Sequence, residues 1–208
     1  MAAPAFAGPD FKVFEVKGFQ SRMAEIKARV RPKLEAFGHS LSPSIARATG
    51  GETFPHVAKH ARRTVNPPDD TWVAFCPDAR GYKKHPHFKV AVSHGCVRFL
   101  FEIGPEHADK KRFAAAWKRS ASKLGPVIRR VKGLAWFKNE HDETPAAILA
   151  DLPAEDVARL GDELTRTRNG QIVLGCAVAA AEAARWSAGD CGRVARDTFH
   201  VLAPLYKL

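Results

Sequence analysis

The chain has no apolar run long enough to cross a bilayer. Its most apolar window, residues 172–181, stops at Glu182, short of the ~20 residues that a spanning helix needs, and reads as a buried strand with its continuation. Residues 1–10 lack a basic stretch followed by an apolar one, so no secretory signal is expected. Cysteine is sparse: Cys76, Cys96, Cys176 and Cys191 are scattered without a C-x-x-C pair, which argues against a zinc or redox motif and for reduced thiols in a cytoplasm. The sequence also has no G-x-S-x-G elbow, no G-x-x-x-x-G-K-[ST] loop and no G-x-G-x-x-G, and so none of the motifs that announce a nucleophile, a P-loop or a dinucleotide fold. Internal repeats, low-complexity tracts and linkers are missing as well.

Acids are the scarcer charge. Against 33 Lys+Arg there are 22 Asp+Glu, a formal charge of +11 and a pI near 9.8. The imbalance is local: residues 1–138 hold 26 bases and 11 acids, a balance of +15, and residues 139–208 hold 7 and 11, a balance of −4. Polyanions and anionic small molecules are the natural partners of the basic part. The rest of the composition, 45% hydrophobic and 26% charged, is that of a globular protein, and 208 residues suffice for one self-sufficient core without disulfide or metal staples.

Local patterns predict an α+β protein, a single domain over residues 1–208 with a largely antiparallel sheet and helices packed on it. Residues 11–16 alternate like a strand. Met23, Ile26, Val30, Leu34 and Phe37 mark a helix that Gly38 is expected to stop, with a second short helix opening at Ser42-Pro43 and closing before Gly50. Thr71-Trp-Val-Ala-Phe75 is β-rich, and the runs 87–93 and 96–103 flank His94-Gly95 as a hairpin. Residues 106–131 read as two helices divided at Gly125-Pro126. Residues 134–138 and 171–178 read as strands, residues 139–146 as a surface loop, and residues 153–167 and 190–206 as helices.

One stretch stands apart chemically. Residues 56–89 contain seven Lys+Arg, four His and three acids. If residues 55–64 are helical, His56, Lys59, His60 and Arg63 share one face, and Arg80 and Lys83 join them from a nearby loop. Arginine offers bidentate donors to phosphate or carboxylate, and histidine adds a donor or moves a proton. These six residues therefore form a candidate anion-binding pocket; the competing uses are a solvated basic helix or a buried polar network fixing the helix to the sheet. A zinc reading of His56 and His60 with His85 or His87 fails on two counts: no Glu stands where H-E-x-x-H would place its base, and the neighbouring cations repel a divalent ion. His94-Gly95-Cys96 reads as turn chemistry, and Asp142 and Glu143 as loop solvation. Lys110, Lys111, Arg112, Lys118, Arg119, Lys123, Arg129 and Arg130 add a nucleic-acid option on the central helices, although Trp117 and Trp136 are spaced for core burial and no RNA-module signature accompanies them.

The same segment carries a resemblance. Phe54-Pro-His-Val-Ala-Lys-His-Ala-Arg-Arg-Thr-Val-Asn-Pro-Pro68, Trp72-Val-Ala-Phe75, Arg80-Gly-Tyr-Lys83 and Pro86-His-Phe88 are similar to the YktB family of uncharacterised bacterial proteins, as are Arg31-Pro-Lys-Leu34 and Leu202-Ala-Pro-Leu-Tyr206. The resemblance implies a cytoplasmic α+β protein of Gram-positive type and supplies no activity, cofactor or catalytic residue. Two functions follow from the residues themselves: a binding module for a phosphate- or carboxylate-bearing ligand, nucleic acid included, or an enzyme on an anionic substrate with His56 or His60 as general acid/base.

Overall fold

The helical spacing that starts at Met23 runs on much further than Gly38. In the computed structural model, which describes residues 3–208, α1 (Gly8–Lys12) and a 3₁₀ turn (Val13–Glu15) lead into α2 (Phe19–Glu25), a π turn (Ile26–Val30) and α3 (Arg31–Thr49), with no break from Phe19 to Thr49. The first turns stand where the alternation of residues 11–16 predicts a strand: Asp10 accepts the Ala7 N–H at 2.6 Å, and Phe11 and Phe14, three apart, both reach the core. The π turn precedes Pro32, which has no N–H for the α-ladder, so the wider turn absorbs the missing bond.

Gly38 does not end the helix. A Cβ there would lie 2.9 Å from Pro55 Cβ, so its role is to let the first strand pass close to α3. The short helix expected from Ser42-Pro43 is the interior of α3, where the Ser42 hydroxyl donates to Gly38 O at 2.7 Å, and the helix ends at Gly50 with φ 80°.

The sheet follows as β1 (Phe54–Val57), β2 (Asp70–Cys76), β3 (His87–Ser93) and β4 (Cys96–Ile103). After α4 (Lys110–Arg129) come β5 (Ala135–Phe137), β6 (Ala147–Ile148), α5 (Ala154–Arg159), α6 (Glu163–Arg166), β7 (Ile172–Ala179), α7 (Ala180–Ala183) and α8 (Ala188–Tyr206). The seven strands are antiparallel throughout, in the order β1-β2-β3-β4-β7-β5-β6, and the predicted hairpin at His94-Gly95 joins β3 to β4. α4 is one helix rather than two, because Trp117 and Ile128 on either side of Pro126 are buried in the same core and hold it through the missing hydrogen bond. The helix expected over residues 153–167 is instead interrupted by a 3₁₀ turn at Leu160–Asp162, where Gly161 passes beneath Trp117.

The two faces of this sheet differ in kind. Val73 and Phe75, Phe88 and Val90, Phe99 and Phe101, and Leu174 face α3 and α8 and form the main core. On the opposite face the registers place Trp72 beside Ala91 and Arg98, and Lys89 beside Ala74 and Leu100, with Asp70, His87 and Glu102 on the same side. Those charges lie under residues 138–146.

If Gly38 is the point of contact, Gly38→Val should push β1 off α3 and destabilise the protein by about 1–3 kcal/mol. Urea unfolding measures this, and an unchanged midpoint would show that β1 does not depend on the close approach.

Candidate functional site

Residues 55–64 are not helical. β1 takes Phe54–Val57, Ala58 N–H still donates to Trp72 O at 2.9 Å, and the chain then leaves the sheet through His60, whose φ of 50° lies in the left-handed region. Pro55 suits the sheet because β1 is an edge strand. A turn closes from Arg63 N–H to His60 O at 3.0 Å. Arg22 then pins the far end of the loop, its guanidinium donating to Pro68 O and Asp69 at 3.1 Å each.

Across from this loop, residues 77–86 fold around Asp78. Its carboxylate accepts the Arg80 N–H at 2.8 Å and faces His85 at 3.4 Å; the Arg80 backbone bond is the largest influence holding that carboxyl below its usual range. Asp78 O, an acceptor only, receives the His56 Nε2–H at 2.8 Å and the Cys76 thiol at 3.2 Å, and burial raises the Cys76 thiol, which argues against a reactive thiolate.

Between these segments lies one open hollow of about 1000 Å³, lined by all six residues singled out in the sequence: His56, Lys59, His60, Arg63, Arg80 and Lys83. They meet because a strand edge and two loops face each other, not because they share a helix face. The two histidines are half-buried and the four cations lie at the rim. Lys83 pairs with Glu106 at 2.8 Å, whereas Lys59, Arg63 and Arg80 have no side-chain ion pair among the described residues. Seven Lys+Arg line the hollow against two acids, Asp78 and Glu106.

Trp72 and Tyr82 form its aromatic wall, the Trp72 indole N–H donating to the Tyr82 hydroxyl at 2.9 Å. Burial pushes the Tyr82 phenol up to about 12, so it stays protonated at neutral pH. Three side chains pack against the Trp72 ring, two of which, Lys89 and His141, the sequence does not single out. Lys89 Nζ sits 5.0 Å from its centroid, with the His60 ring at 5.4 Å and the His141 ring at 5.8 Å.

Behind Trp72 lies a buried network of charges. Arg98, with 0% exposure, donates to Asp70 Oδ2 at 2.7 Å, and to Glu140 O and Asp142 O at 2.6 and 3.1 Å. Asp70 in turn accepts from His141 Nδ1 at 2.9 Å. Lys89, 1% exposed, is held between Glu102 at 2.6 Å and Glu140, and Glu102 also faces His87 at 3.2 Å. Burial opposes charge on Lys89 and on Glu102, yet each is shifted the other way by its partners and both stay ionised. Burial likewise pushes Asp70 up, and the His141 bond together with Arg98 outweighs it. His60 is lowered, chiefly by burial, and His141 is raised, chiefly by its bond to Asp70. Asp142 and Glu143 cap turns: Asp142 accepts the Asn139 N–H and Glu143 the Gly95 N–H, both at 3.0 Å.

The signal that could have revealed this network is an ionisable residue inside an otherwise apolar strand, as Lys89 is in Phe88-Lys-Val-Ala-Val92 and Arg98 in Val97-Arg-Phe-Leu-Phe101. Among the described residues no group of three or more His, Cys, Asp or Glu side chains is placed to hold a metal ion, and no helix is long and apolar enough to cross a membrane.

Comparison with known proteins agrees with the resemblance seen at residues 54–88. Residues 6–206 match a family model described as a domain of unknown function, DUF1054. A UPF0637 protein of Macrococcus caseolyticus is 35% identical over 201 residues, covering 97% of each chain. UPF0637 proteins of Bacillus licheniformis and Oceanobacillus iheyensis are 32% and 31% identical, over 100% and 98% of this chain and 97% and 95% of theirs.

The Asp70–His141 pair sets a pH dependence. A raised imidazole contributes stability that is fully present below the ordinary value near 6.5 and is lost as pH rises through its raised value; the lowered Asp70 contributes above the ordinary carboxylate range and fails only in acid. The stability difference between wild type and His141→Gln should therefore be largest near pH 6 and shrink towards pH 9. Asp70→Asn, which leaves Arg98 buried without its counter-charge, should cost about 3–5 kcal/mol at neutral pH. Urea unfolding across pH checks both.

Proposed function

The chain belongs to the DUF1054 family of bacterial proteins, and we propose that its hollow binds a phosphate- or carboxylate-bearing ligand through His56, Lys59, His60, Arg63, Arg80 and Lys83. The observation that carries this is the excess of seven cations over two acids around a single concavity of about 1000 Å³. A solvated basic surface spreads its charges apart; here Arg63 and Arg80 come from different segments and line the same space without an acid of their own. Guanidinium forks suit phosphate and carboxylate oxygens, and the hollow reaches the upper end of the roughly 300–1000 Å³ usual for small-molecule sites. Four free cysteines accord with a reducing cytoplasm as the place of action, and a main core that draws residues from Ala3 to Leu205 accords with a single domain over residues 1–208.

Titration calorimetry with inorganic phosphate, pyrophosphate and a small dicarboxylate tests the proposal. Arg63→Ala and Arg80→Ala, both at exposed positions, should each lower affinity roughly tenfold or more without lowering Tm. No heat with any of the three anions, or affinity indifferent to both substitutions, defeats it.

A second function, turnover of the bound anion, is favoured by the two imidazoles that pack against Trp72: burial shifts His60 towards its neutral form and the bond to Asp70 shifts His141 towards its protonated form, the opposite directions that suit a base and an acid. Hydrolysis of p-nitrophenyl phosphate should then follow a bell-shaped pH profile and fall by about 10²–10⁴ in His60→Gln or His141→Gln. Wild-type protein that binds phosphate and shows no hydrolysis at any pH would leave binding alone.

A further inference from the structure

α4 carries seven Lys+Arg and no acid. Two of its cations are used locally, Lys110 donating to Arg168 O at 2.8 Å and Arg129 to Leu149 O at 3.4 Å. Lys111, Arg112, Lys118, Arg119 and Lys123 lie on its outer side and have no side-chain partner among the described residues. The buried side of the helix, with Phe113, Trp117 and Ile128, fixes which way this cationic face points. At 1.5 Å per residue the cations from Lys111 to Lys123 extend about 18 Å along the helix.

It begins at the hollow. Ala108 N–H donates to Lys84 O at 3.1 Å and Lys83 pairs with Glu106, so the rim of the hollow and the segment leading into α4 are tied together. One end of this cationic surface therefore holds an aromatic wall, Trp72 with Tyr82, and the other offers charge alone. Aromatic rings beside a track of cations are what single-stranded nucleic acid requires: a base stacks on the rings and successive phosphates follow the cations. A duplex would leave the aromatic wall unused. A membrane-surface helix presents an apolar face to lipid, whereas that face of α4 is buried in the core, and Val65 and Val127 are the large apolar residues exposed among those described.

We propose that the ligand of this surface is a single-stranded nucleic acid, with an unpaired base against Trp72 and Tyr82 and its backbone running over Lys84 onto Lys111, Lys118, Arg119 and Lys123. This rests on the hollow being an anion site and adds the polymer and its track.

Fluorescence anisotropy with labelled oligo(dT) of about 20 nucleotides, long enough to span hollow and helix, tests it over a salt series. Combined Lys118→Glu, Arg119→Glu and Lys123→Glu lie on the outer face of α4 and should leave Tm and phosphate binding intact while reducing the slope of log K against log salt by about 2, at ~0.7 for each phosphate no longer neutralised. Trp72→Leu should weaken oligo(dT) about tenfold. Phosphate binding without oligonucleotide binding, or oligonucleotide binding that ignores the triple substitution, overturns the inference and leaves the anion site standing; absence of both defeats the two together. A duplex of equal length bound as tightly as the single strand, or anionic phosphatidylglycerol vesicles bound through the same lysines in place of oligo(dT), also overturns it.

Discussion

A guanidinium with no solvent exposure has to be neutralised where it stands, and Arg98 stands in the middle of the sheet. Its counter-charge comes from Asp70 on β2 through one terminal nitrogen, and the other terminal nitrogen donates to the carbonyls of Glu140 and Asp142, so one side chain joins two strands to the loop that covers them. Lys89 repeats the arrangement with Glu102 and Glu140. Removing two pairs of charges from water costs several kcal/mol per ion, and such pairs are weak contributors to net stability compared with apolar packing of the same volume. What they give here is position. Glu140 and His141 can sit over the sheet only where Lys89, Arg98 and Asp70 hold them.

That constraint reaches the hollow through Trp72. The indole lies over Lys89, its N–H is used by Tyr82, and imidazoles from two distant segments rest against it. The wall of the candidate site is thus built on the buried charges behind it, while the rim cations are free of them. The candidate site divides accordingly into an aromatic and imidazole wall and a set of exposed guanidinium and ammonium groups at its rim.

Much of this was legible before folding. The antiparallel hairpin at His94-Gly95, the strand at 71–75, the last helix and the α+β class follow from period-two and period-three-to-four spacing, which depends on nearest neighbours along the chain. The errors share a cause. Gly38, Ser42-Pro43 and Gly125-Pro126 look like helix ends because each lowers local helix propensity, yet α3 and α4 continue through them where packing on the sheet outweighs that loss. Residues 55–64 look helical in their charge spacing and are instead an edge strand and a loop, because β1 pairs with β2, an interaction no local pattern contains.

The six cations and histidines were visible from composition because a dense mixed run of Arg, Lys and His is rare enough to notice in one dimension. By itself, then, the sequence determined the elements with strong periodicity, the basic bias of residues 1–138 and the chemical type of the candidate site. Only the tertiary structure decided that those side chains surround one hollow, that Trp72 and Tyr82 wall it, and that His60 and His141 both pack against Trp72. The reason is physical: burial and long-range pairing determine which charges are paired and which remain free, and Asp70 with His141, or Lys89 with Glu140, are brought together by strand register and loop closure rather than by proximity in the chain.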